Sequence, residues 1–102
     1  MYSTVYVTAR DAAEARAIAR ALVGERLVAC VNWWPITSAF RWEGQMDESA
    51  EVAMICKTKT SLVSQAITRI KELHSYETPC ITSWKIGAGF AGYLDWVGRE
   101  TR

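Results

Sequence analysis

Few side chains in this sequence can do chemistry. There is one histidine, His74, and there are three cysteines, Cys30, Cys56 and Cys80. A neutral imidazole is a common metal ligand, and thiolates suit soft ions such as Cu(I). Cys80 follows Pro79 and lies five residues beyond Ser75, close enough in the chain to add a thiolate beside His74. Glu51 and Glu77 are the plausible oxygen donors. No C-x-x-C and no H-x-x-x-H occurs, so no four-ligand zinc pattern exists. One copy of the chain therefore offers few ligands. A metal site built on His74, Cys30, Glu77 and Cys80 has to use carboxylates or recruit donors across a boundary between copies.

Each of these residues also has a plainer role. His74 falls near the end of a helical stretch, where its cation favours the helix dipole. A cysteine on a strand is usually a small buried apolar group, and Cys56 shares a strand face with Val52 and Met54. Lys57 can pair with a carboxylate or hold an anion. The simplest reading of Glu51 and Lys57 is cross-strand pairing on an exposed face, worth about 0.2–1 kcal/mol. Tyr76 can bury its ring and still point its hydroxyl into a cleft.

Composition narrows the partners. The chain has 102 residues and a net charge of +1, the size of one domain, read as 1–102. The first 51 residues hold five basic and seven acidic side chains, the remainder seven and four. Neither half is a surface for phosphate contacts, so nucleic acid is disfavoured. The longest uncharged stretch, Leu27 to Phe40, is 14 residues, short of the ~20 a membrane span needs. No basic segment and long apolar run open the chain, which argues against a secretory signal. Three cysteines set among apolar residues argue against a disulfide framework and for a reducing cytoplasm. Five tryptophans are more than one small core hides easily. Trp and Tyr are enriched at interfaces, so the surplus points to an oligomer.

The elements that must position these residues are legible in outline. Thr4 to Thr8 alternates as a strand. Asp11 is a helix N-cap with Glu14 as its capping-box partner, Ala15, Ile18, Ala19 and Leu22 follow at helical spacing, and Gly24 is the expected stop. Leu27 to Trp34 reads as a buried strand that Pro35 interrupts. Thr37 to Met46 resumes it, Asp47-Glu48-Ser49 is a turn, and Glu51 to Thr58 is the next strand. Thr60 to Leu73 is helical, Cys80 to Ile86 a strand, and a short last helix carries Tyr93, Trp96 and Val97. Two strand–helix–strand units, each with a strand ending in threonine and another beginning near a cysteine, predict a ferredoxin-like βαββαβ plan of the α+β class. Both helices then lie on one face of the sheet and leave the other face bare. Trp33 and Trp34 face opposite sides, so one must meet the core and the other the bare sheet face or a partner. The hairpin is too long for the sheet, so it projects and must be covered by a neighbour.

The segments Glu25-Arg26-Leu27-Val28-Ala29-Cys30-Val31-Asn32, Trp42-Glu43-Gly44, Glu51-Val52 leading to Lys57-Thr58, His74-Ser75-Tyr76-Glu77-Thr78-Pro79 and Tyr93-Leu94-Asp95-Trp96, in this order and spacing, resemble the CutA family of divalent-cation tolerance proteins. The resemblance implies a tight homotrimer, binding of copper or another divalent metal ion, and no catalytic reaction. A cleft between subunits, as a PII-like sensor of a small anionic ligand needs, is expected near Glu51, Lys57, His74 and Tyr76, with Trp42, otherwise a packing residue, as a further candidate. This chain departs from the family pattern at Ser75, Cys80 and Val7, and Leu73-His74 stands where a histidine pair is usual. A trimeric sensor of a small anionic ligand, similar to the PII proteins, is the alternative. An acylphosphatase-like enzyme lacks its glycine-rich phosphate cradle between the first strand and helix, although Arg10 and Asn32 exist. An RNA-recognition module lacks its aromatic motif, with only Tyr6 suggestive.

Overall fold

The computed structural model describes residues 1–102. Strand β1 (Tyr2–Ala9) leads to helix α1 (Ala12–Gly24). Asp11 accepts the Glu14 N–H at 2.9 Å, as an N-cap should. Glu14 reaches back to the Arg10 N–H at 2.8 Å, one residue earlier than a capping box requires. The helix does not stop by a left-handed Gly24. Glu25 caps it, and Arg26 takes the left-handed position with φ 61°. The Arg26 N–H bonds the Val23 carbonyl and the Leu27 N–H bonds that of Leu22, the paired bonds of a Schellman ending.

Strand β2 (Cys30–Trp42) and strand β3 (Gln45–Lys59) form one long hairpin. Three expectations are corrected here. Leu27 and Val28 are buried but precede the strand, which begins at Cys30. Pro35 does not interrupt β2; it stands opposite Val52 in an unbroken ladder. β2 is the edge of the sheet, where a residue without an N–H can sit with that side facing outward. The turn is not at Asp47-Glu48-Ser49 but at Glu43-Gly44, with φ 50° and 78°. Two positive φ values between paired Trp42 and Gln45 make a tight hairpin turn whose twist suits the strands.

A 3-10 turn (Thr60–Leu62) runs into helix α2 (Val63–Leu73), followed by strand β4 (Ile81–Lys85) and helix α3 (Ala91–Glu100). The sheet is antiparallel with order β2-β3-β1-β4. Val5 opposes Cys56 and Val7 opposes Met54. These side chains, with Ala9 and Val52, meet Ala15, Ile18, Ala19 and Leu22 of α1 and Ala66 and Ile70 of α2 in a single core. Alternation sends Tyr2, Thr4 and Tyr6 of β1 and Glu51, Ala53, Ile55 and Lys57 of β3 to the opposite face.

That second face is not left bare. Helix α3 packs against β3, and Gly98 lies so close to the Tyr2 ring that an added Cβ would come within 2.9 Å of its hydroxyl. Arg26 fastens the end of α3 by donating to the Glu100 and Arg99 carbonyls at 3.2 and 2.7 Å. The molecule is 45 Å long but only 26 and 21 Å across. Its length comes from the arm: β1 backs β3 only from Val52 onward, so Ile36–Trp42 and Gln45–Glu51 pair with nothing but each other. Neither Trp33 nor Trp34 enters the core. They are 39% and 42% exposed, and Phe40, Trp42 and Met46 of the arm are exposed as well.

Candidate functional site

The titratable residues gather where the end of β1, the start of α1 and the segment after α2 converge. His74 is the pivot, its side chain fully buried. The Tyr76 N–H donates to His74 Nδ1 at 3.1 Å, and His74 Nε2 lies 2.8 Å from the Thr8 carbonyl. An amide N–H can only donate, so Nδ1 is the acceptor and Nε2 carries the proton. Both ring nitrogens are thereby used. The imidazole also stacks at a tilt on the Tyr76 ring, centroids 4.8 Å apart. Glu14 binds the neighbouring backbone, taking the Arg10 N–H on one oxygen and the Ser75 N–H at 2.8 Å on the other. Burial pushes the Glu14 carboxyl up, but these hydrogen bonds to its charged form outweigh burial and hold it below the usual glutamate range.

Held this way, Tyr76 donates its hydroxyl to Glu51 Oε2 at 2.8 Å. Glu51 is only 8% exposed, so it is not the exposed strand residue expected. Burial, and next the hydrogen bond to Glu51, push the Tyr76 phenol up to about 12. Glu51 pairs with Ile36, the first position beyond the reach of β1, so the Tyr76–Glu51 pair sits at the root of the arm.

The other candidates lie elsewhere. Lys57 is six residues along β3 from Glu51 and opposite Cys30, about 20 Å away at strand spacing. Its ammonium donates to Asn32 Oδ1, and the Cys30 thiol approaches the same oxygen at 3.9 Å. Burial, and next the Cys30 thiol, push the Tyr93 phenol up. The pairing of Glu51 with Lys57 is therefore corrected: they share a strand, not a contact. Cys56 is buried in the core, where burial raises its thiol to about 12 and leaves it inert. Trp42 stands at the arm tip beside the turn. Glu77 and Cys80 are exposed, and the Cys80 carbonyl accepts from the Thr8 N–H at 3.3 Å. No disulfide links the cysteines.

Within one chain the residues do not fit a metal. No group of three or more His, Cys, Asp or Glu side chains converges, Cys30 belongs to the far end of the sheet, and the imidazole has no nitrogen to offer. Sequence reasoning missed Glu14 as a loop anchor, for which the capping signal was the only hint. It missed Asn32 as the shared partner of Cys30 and Lys57, which nothing short of the register reveals.

The profile of the family described as "CutA1 divalent ion tolerance protein" matches residues 3–100. The divalent-cation tolerance protein CutA of Archaeoglobus fulgidus is 41% identical over 97 residues, 95% of each chain. That of Thermus thermophilus is 41% identical over 102 residues, 99% of each. Among solved structures, the Archaeoglobus fulgidus protein, described as a periplasmic divalent cation tolerance protein, superposes with a TM-score of 0.96 at 40% identity over 98% of both chains. CutA1 of Pyrococcus horikoshii superposes at 0.95 with 35% identity, also over 98% of both. A family match over nearly the whole chain, and 41% identity to relatives covered almost end to end, show that this chain belongs to the CutA family of divalent-cation tolerance proteins.

Proposed function

We propose that the chain serves divalent-cation tolerance as a homotrimer that binds copper or another divalent metal ion, without catalysis, at clefts completed by neighbouring copies. One observation carries this reading: the chain leaves uncovered an apolar arm whose root is the buried Tyr76–Glu51 pair. A two-stranded arm is marginal in water by itself. The cover it needs and the donors the ion needs are supplied by the same event. The order βαββαβ with the sheet order β2-β3-β1-β4 supports a ferredoxin-like description of each subunit. The relatives carry names of tolerance, not of a reaction. Three unpaired thiols favour a reducing compartment such as the cytoplasm, and no helix is long and apolar enough to cross a membrane.

Light scattering at micromolar concentration tests the assembly, and a thermal-shift series with copper, zinc and nucleotides tests the ligand, since a ligand bound only by the native state raises its stability. Three subunits stabilised by divalent ions are expected. A monomer stable to dilution overturns the proposal. Stabilisation by nucleotides and not by cations replaces it with an anion sensor of the PII kind.

A further inference from the structure

The strongest unexplained feature is the histidine itself. A metal ligand must present a nitrogen lone pair, and His74 presents none: Nδ1 accepts from the Tyr76 N–H and Nε2 faces the Thr8 carbonyl. The ring is sealed from solvent. What it does instead follows from those two bonds. They tie the segment after α2 to the end of β1, and the residue whose backbone Nδ1 holds is the residue whose hydroxyl meets Glu51 at 2.8 Å.

We propose that His74 is a positioning residue and not a cation ligand: its imidazole sets Tyr76 against Glu51 at the root of the arm, and cations are bound by this protein with no imidazole nitrogen. The second half rests on the metal-binding reading above, while the first half does not. Glu14 supports the same loop from the other side, through Ser75, and its Oε1 stands 4.0 Å from Nδ1. Outward movement of the ring to meet an ion would break both of its hydrogen bonds and leave the Thr8 carbonyl without its imidazole partner.

The chain has a single histidine, so any imidazole signal is that of His74. In metal-free, uniformly 15N-labelled protein, the ring should show a protonated Nε2 and an unprotonated Nδ1. Asparagine can place its oxygen near the site of Nδ1, whereas glutamine places its amide near Nε2. Tyr76 amide exchange should therefore stay near the wild-type rate in His74→Asn and rise about tenfold in His74→Gln, the loss of one ordinary hydrogen bond. A proton on Nδ1, or equal exchange in wild type and both variants, overturns the positioning role. Should either variant fail to fold, the wild-type tautomer still decides. With one equivalent of Cu(II) bound to the wild type, pulsed electron paramagnetic resonance should show no remote-nitrogen modulation from imidazole. Its presence overturns the exclusion of His74 from the ligand set. If neither Cu(II) nor any other divalent cation of the thermal-shift series binds, the metal reading of the protein falls, and with it the second half of the proposal. The positioning claim is then judged on the tautomer and the exchange rates alone.

Discussion

The two halves of β3 lie in different worlds. From Glu51 to Thr58 every residue is buried or half-buried, sandwiched between the α1–α2 layer and the face that carries α3. From Gln45 to Ala50 only Ser49 is even half-covered. Both halves keep the same ladder with β2 without a break. Backbone pairing therefore does not distinguish them; side-chain cover does. Hydrophobic burial supplies most of the stability of a folded region, so the body has the means to hold itself and the arm does not. The arm's apolar residues, Phe40, Trp42 and Met46, stay exposed on a surface the rest of the chain does not cover.

Substitutions in the two regions should consequently fail in different assays. Met54→Ala removes a fully buried side chain from the core; a loss of about 2–5 kcal/mol in unfolding free energy is expected, measured by urea denaturation at fixed protein concentration, with subunit number unchanged in the native protein. Trp42→Ser at the arm tip should do the reverse. A loss of about 2 kcal/mol in association, roughly 30-fold in the association constant, is expected, read by sedimentation across a dilution series, while the dissociated chain keeps the helical and sheet signal of the wild type. Equal effects of both variants on both assays would dissolve the distinction between body and arm.

Glu14 sharpens the comparison from the body side, because it shows what a covered polar group contributes. Its carboxylate takes two backbone N–H groups that glutamine cannot serve equally. Glu14→Gln should cost about 1–3 kcal/mol at pH 7. The folded carboxyl is held below its ordinary value, so its contribution is present above the unfolded-state pKa of about 4.3 and is lost as the pH falls through the lower folded value. The gap between wild type and variant should thus narrow below about pH 4. A gap that stays constant down to pH 3 would show that the hydrogen bonds to the charged form are not its source.

What the sequence showed and what it hid follow the same division. Apolar spacing located all three helices and the inward residues Val52, Met54 and Cys56, since these are dictated by burial within the chain. The arm was recognised as too long, but its turn was placed at Asp47-Glu48-Ser49, where composition is turn-like, when Gly44 with its positive φ was the decisive residue. Pro35 was read as a break because an edge position cannot be known before the strand order is. The second face reads as bare in the sequence because the last helix carries no signal of which layer it joins. Of the site, the pairing of Tyr76 with Glu51 depends on bringing together two residues 25 positions apart, and the state of His74 depends on a backbone carbonyl 66 residues away. No local pattern encodes either. The four metal candidates rest on residue type, nearness in the chain and the family resemblance, and none of these reports whether a lone pair is free.

The smallest expected effect lies at Arg26, where the body holds its own edge. A non-glycine residue at φ 61° carries a backbone cost of about 1–2 kcal/mol, which glycine would remove. Arginine stays favourable there because its guanidinium binds the last carbonyls of α3, and two such exposed bonds contribute about 1 kcal/mol together. Arg26→Gly trades one for the other and should stay within about 1 kcal/mol of wild type. Arg26→Ala keeps the strain and loses the bonds, and should be the less stable of the two variants by about 1 kcal/mol. The comparison of urea midpoints at one protein concentration decides it. Alanine equal to or better than glycine would mean that the left-handed position is not strained, and that the fastening of α3, not the turn geometry, is what selects arginine at the end of α1.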